Sequence, residues 1–118
     1  MKSLLLSISL ILLVQLEMIA QTEFVLEPSQ SMIMTGKGPG QDATINPFVG
    51  QDCYVIVRNL GYRSFYIRIQ NEGKVVEEIT VEKGKFQKVK LLKGYELYLD
   101  PNPEGITKAS VEYQKIEE

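Results

Sequence analysis

From Asp52 to Asp100 the chain alternates between short runs rich in Val, Ile, Tyr and Phe and brief punctuation carrying glycine. The runs DCYVIVRN, RSFYIRIQ, KVVEEITV, KFQKVKLL and YELYLD are separated by segments containing Gly61, Gly73, Gly84 and Gly94. Within most runs apolar and polar positions repeat with period two, the spacing of a strand with one face buried. Cys53, Val55 and Val57 share a face against Tyr54, Ile56 and Arg58; Phe65, Ile67 and Ile69 share a face against Ser64, Tyr66, Arg68 and Gln70. Val89 and Leu91 oppose Phe86, Lys88, Lys90 and Leu92, and Tyr95, Leu97 and Leu99 oppose Glu96, Tyr98 and Asp100. Strands at this spacing, punctuated by glycine turns, predict an antiparallel all-β protein.

The flanks extend the pattern. QTEFVLE (21–27) and SMIMT (31–35) predict two short strands, and KASVEYQK (108–115) a closing one with Ala109, Val111 and Tyr113 inward. In KVVEEITV, Val75, Ile79 and Val81 share their parity with Glu77, which predicts a bulge near Val76–Glu77 or an edge position. The lysines of 85–92 are what an edge strand carries against unwanted pairing. No stretch has helical periodicity, and there is no internal repeat or low-complexity segment. About seven short strands, most with one polar face, predict a small antiparallel β-sandwich of immunoglobulin-like or related topology. A small β-barrel is the alternative.

The runs 52–59 and 63–70 read as a hairpin around Leu60-Gly61-Tyr62. If both apolar faces join one core, Val57 pairs with Phe65, Val55 with Ile67 and Cys53 with Ile69. The outer face then sets Tyr54 opposite Arg68, placed for a cation–π contact, and Ile56 opposite Tyr66, with Arg58 continuing the row. Tyr and Arg are the residues interaction hot spots favour, so Tyr54, Arg58, Tyr66 and Arg68 are the candidate binding residues.

The N-terminus changes the setting. Lys2 precedes an apolar run from Leu4 to Val14, and a more polar stretch ends at Ala20. This predicts a secretory signal peptide over 1–20, cleaved after Ala20, with residues 21–118 as one domain. Gln15 and Glu17 interrupt the run too early for a membrane span, so none is expected after cleavage. An exported chain with one cysteine has no internal disulfide, and Cys53, on the apolar face of its strand, reads as a small buried hydrophobe.

The longest loop, GKGPGQDATINPFVG (36–50), contributes Lys37 and Asp42 as loop candidates for binding. Neither completes a known cradle. Lys37 is followed by Gly38-Pro39 instead of Ser or Thr opening a helix, and Asp42 has no second carboxylate before Asp52.

Chemistry is scarce elsewhere. The chain has no His, which removes the commonest general base and transition-metal ligand. Neighbouring Glu77 and Glu78 point to opposite sides of a strand, which is no glycosidase dyad. A net charge of -2 argues against nucleic acid. No metal or cofactor is expected. The expectation is an exported, non-enzymatic module of the periplasm, cell surface or medium, binding a protein in the cell envelope through the Tyr/Arg sheet face or an edge strand. A carbohydrate-binding module is the alternative, and a small hydrolase ranks last.

Overall fold

The computed structural model describes residues 21–36, 43–48 and 50–116. The expected signal peptide and the loop candidates Lys37 and Asp42 lie outside the described residues. The described residues form eight strands and no helix: β1 (Gln21–Leu26), β2 (Met32–Thr35), β3 (Cys53–Asn59), β4 (Phe65–Asn71), β5 (Lys74–Val81), β6 (Phe86–Leu91), β7 (Glu96–Asp100) and β8 (Thr107–Lys115). They form two antiparallel sheets, ordered β1-β8-β3-β6 (sheet A) and β2-β7-β4-β5 (sheet B). The chain is a β-sandwich.

The strand order carries more detail. First pairs with last, second with seventh, third with sixth and fourth with fifth. This nested pairing is the jelly-roll arrangement, related to the immunoglobulin sandwich but with its own order of eight strands. Only β4 and β5 are consecutive neighbours in one sheet. Their two-residue turn puts both Glu72 (φ 53°) and Gly73 (φ 80°) in the left-handed region, the geometry that matches strand twist in a tight hairpin.

Period-two alternation delivers the core. Cys53, Val55, Val57 and Val111 face inward from sheet A onto Phe65, Ile67, Leu97 and Leu99 of sheet B, all buried. Each such side chain contributes about 1.5–3 kcal/mol by leaving water, enough in sum to hold a domain without disulfides. Irregularity falls where the parity broke. Ile69 pairs with Glu77 and Gln70 with Val75, so Val76 is the extra residue of a bulge on the edge strand β5. β6, with its lysines, is the edge of sheet A.

The hairpin expected from 52–59 and 63–70 does not form. β3 pairs with β6 and β8, while β4 pairs with β5 and β7, in the other sheet. The inward faces are those expected, but they meet across the core instead of side by side. Inward alternation is satisfied equally by either arrangement, so it did not choose between them.

Candidate functional site

The crossover from β3 to β4 is held by one buried side chain. Asn59, at the end of β3, donates its amide to the carbonyls of Arg63 (2.7 Å) and Val81 (3.0 Å). Its oxygen accepts from the Gly61 N–H (2.9 Å) and from the Thr107 hydroxyl (3.3 Å). Thr107 Oγ1 also lies 3.0 Å from the Arg63 carbonyl. Both side chains are buried. A buried polar pair is stable only when its groups are partnered, and here the partners fix the β3–β4 loop against the start of β8.

The β3–β8 ladder continues through this junction. Asn59 opposes Ala109, and Leu60 N–H then donates to the Lys108 carbonyl at 2.7 Å. Gly61 packs so close to Thr107 and Lys108 that an added Cβ would meet the Lys108 nitrogen at 2.8 Å. Gly105 lies against the Arg63 side chain, whose guanidinium reaches Glu104 at 3.9 Å. Leu60 continues the outward parity of Arg58, and Tyr62 and Ile106 lie just beyond the strands, next to Gly61 and Thr107, which pack against each other.

At this end of sheet A, apolar surface collects. Tyr62 is 93% exposed, Ile106 61%, Leu60 44%, and Val25, opposite Lys108 in β1, 57%. Cations and aromatics continue the face downwards. Arg58 lies over the Phe86 ring at 5.1 Å and Lys88 over the Tyr54 ring at 4.5 Å. Lys108 pairs with Glu23 at 3.0 Å.

Four of the residues expected to bind are divided between the two sides of the sandwich. Tyr54 and Arg58 face outward from sheet A, Tyr66 and Arg68 from sheet B. No single Tyr/Arg patch exists, and the Tyr54–Arg68 contact is replaced. Arg68 instead donates two hydrogen bonds to Asp100, at 2.8 and 2.9 Å, and lies over the Tyr98 ring at 4.2 Å. Burial alone would push the Asp100 carboxyl up. Hydrogen bonds from Arg68 and Ser31 and the Arg68 charge outweigh it and hold the carboxyl below its ordinary value. Asp100 in turn holds the Arg68 guanidinium in its charged form. The Arg68 fork is thus occupied by Asp100 and its plane stacked on Tyr98.

No known protein family matches the sequence, and no curated protein does so. The fold is similar to the crystal structure of PirA. The two superpose with a TM-score of 0.59 at 13% identity, over 80% of this chain and 94% of that one. At that identity the likeness is one of fold.

Among the described residues, no group of three or more His, Cys, Asp or Glu gathers as metal ligands. Cys53 is buried and accepts a hydrogen bond from Asn46 Nδ2 at 3.4 Å. Burial pushes its thiol up, Asn46 pulls the other way, and the Asp52 charge adds to the rise. Leu60 and Tyr62 escaped the sequence reading because they sit in a segment taken as a turn, and Ile106 because it precedes the expected closing strand. The signal available was local: large apolar residues inside polar, glycine-bearing connections.

Proposed function

We propose that this chain is an exported, non-catalytic binding module that engages a protein partner of the cell envelope through the Tyr62 end of sheet A. The observation that carries the reading is the exposure of Tyr62, Ile106 and Leu60 on connections anchored by Asn59 and Thr107, with exposed Val25 on β1 opposite Lys108. Large apolar side chains held in one place by a satisfied buried network lose little entropy on binding, which is how hot spots work. Arg58 and Lys88 beside the patch favour a partner whose apolar contact is rimmed by carboxylates. A sugar ring stacked on Tyr62 is the second reading, favoured by the near-complete exposure of that ring.

The test captures partners from a cell-envelope extract with the full chain, expressed with its leader in a secreting host and purified as the host yields it. Tyr62→Ser/Ile106→Ser runs beside it, with Tyr66→Ala as the control on the opposite sheet. Protein captured by wild type and Tyr66→Ala but lost by the double variant supports the reading. Equal capture by all three contradicts it. Capture of glycan that survives protease treatment of the extract transfers the site to the second reading.

A further inference from the structure

We infer that Arg63 reads a carboxylate on the protein partner, and that Glu104 holds that place in the free chain. This rests on the binding reading above and names the segment the site takes: an acidic peptide stretch with apolar neighbours.

The guanidinium is positioned by the fold. The Arg63 carbonyl accepts from Asn59 Nδ2 at 2.7 Å and lies 3.0 Å from the Thr107 hydroxyl, so the buried pair fixes its backbone. Its side chain lies on Gly105, where an added Cβ would collide with Nε and come within 2.8 Å of Cζ. The φ of Gly105 is outside the left-handed region, so the turn alone does not call for glycine; the guanidinium resting there does.

What the cation lacks is a close anion. Glu104 Oε2 is 3.9 Å from Arg63 Nη1, too long for a hydrogen bond, and the Glu104 side chain is 80% exposed. Among the described residues nothing else pairs with this guanidinium, which keeps 45% of its side-chain surface in water. Arg68 shows the contrast, since Asp100 fills its fork. The Glu104 N–H donates to Asn102 Oδ1 at 2.9 Å, which holds the turn with its carboxylate near the cation but not closed on it. An exposed pair of this kind contributes little, so an incoming carboxylate that fits the fork displaces Glu104 at small cost.

Arg63 follows Tyr62 in the chain, and Gly105 precedes Ile106. The cation therefore lies between the two connections that carry these exposed apolar side chains. An acidic peptide with apolar neighbours makes both kinds of contact at once, and Arg beside Tyr is a pairing hot spots favour.

The experiment selects a random peptide library displayed on phage against the immobilised full chain, expressed and purified as above. Arg63→Gln, Glu104→Gln and Tyr62→Ser/Ile106→Ser run beside the wild type, each checked for folding by circular dichroism. The wild type should enrich peptides with Asp or Glu beside apolar residues, and Arg63→Gln should keep the apolar preference and lose the acidic one. A synthetic peptide of the leading sequence should bind Arg63→Gln about three- to tenfold more weakly. It should bind Glu104→Gln about twofold more tightly, because the competing carboxylate is gone. A purely structural role for Arg63 would not produce that gain, and Glu104→Gln keeps the test if Arg63→Gln does not fold. No enriched peptide, enrichment without acidic residues, or equal binding by wild type and Glu104→Gln would overturn the inference. Selection abolished by Tyr62→Ser/Ile106→Ser but unchanged in Arg63→Gln would keep the binding reading and sink this one.

Discussion

The amide of Asn59, at the end of β3, donates to the carbonyl of Val81, at the end of β5, at 3.0 Å and so ties sheet A to sheet B. The same side chain orders the loop that carries Leu60 and Tyr62. Stability and the proposed binding site therefore share one anchor. Asn59→Ala leaves the Val81 carbonyl and the Gly61 N–H without their partner in a buried setting. A loss of about 2–4 kcal/mol is expected, the cost of orphaning buried polar groups. Urea unfolding monitored by circular dichroism measures it, and a change under 1 kcal/mol would mean that the network is ornamental.

Gly61 tests the packing of the two loops independently of polarity. A Cβ there meets the Thr107 side chain and lies 2.8 Å from the Lys108 nitrogen, so Gly61→Ala must push the loop away from β8. Gly73→Ala is the contrast, because nothing lies within 4 Å of its added Cβ and only its φ of 80° resists. Gly61→Ala should lower partner capture as well as stability, whereas Gly73→Ala should lower stability alone. Side-by-side denaturation and capture decide it.

Strand faces were legible in the sequence and strand neighbours were not. Cys53, Val55 and Val57, and likewise Phe65, Ile67 and Ile69, are buried as their alternation requires. The bulge at Val76 showed as broken parity, and the edge position of β6 showed in its lysines. Pairing is different, because a strand's inward residues pack into one core whether the next strand lies beside it or opposite. What decides between them here is Asn59, whose bonds to Val81 and Thr107 reach residues 22 and 48 positions away. Such contacts leave no periodic trace. The proposed site was hidden for a related reason, since Tyr62 and Ile106 flank Gly61 and Thr107, which meet only after β3 and β8 have paired.

The Arg68–Asp100 pair makes a pH prediction. Because the Asp100 carboxyl is held below its ordinary value in the folded chain, its stabilisation is fully present above the ordinary Asp range, about pH 4. It is lost as pH falls below that through the depressed folded value. Both side chains keep about a fifth to a quarter of their surface in water, at 21% and 25%. The expected contribution is therefore modest, about 1–2 kcal/mol for charged hydrogen bonds so placed. Between neutral pH and pH 3 the wild type should lose more stability than Asp100→Asn, by part of that amount, with the remainder lost on further acidification. Parallel acid titrations of the two would contradict the assignment.

Cys53 should behave as core. In the folded protein its thiol, buried and pushed up by that burial, is expected to react with a disulfide reagent only through opening of the sandwich. The rate should rise by orders of magnitude in denaturing urea. Fast, stoichiometric labelling of the native protein would show that the β3 face is open.

The most direct measurement places a photoreactive benzoyl-phenylalanine at position 62, and separately at position 66 on the opposite sheet, in the chain expressed in its own cells. Irradiation should attach a partner at position 62 and leave position 66 without one. A partner attached at position 66 and not at 62 would move binding to sheet B and contradict the account.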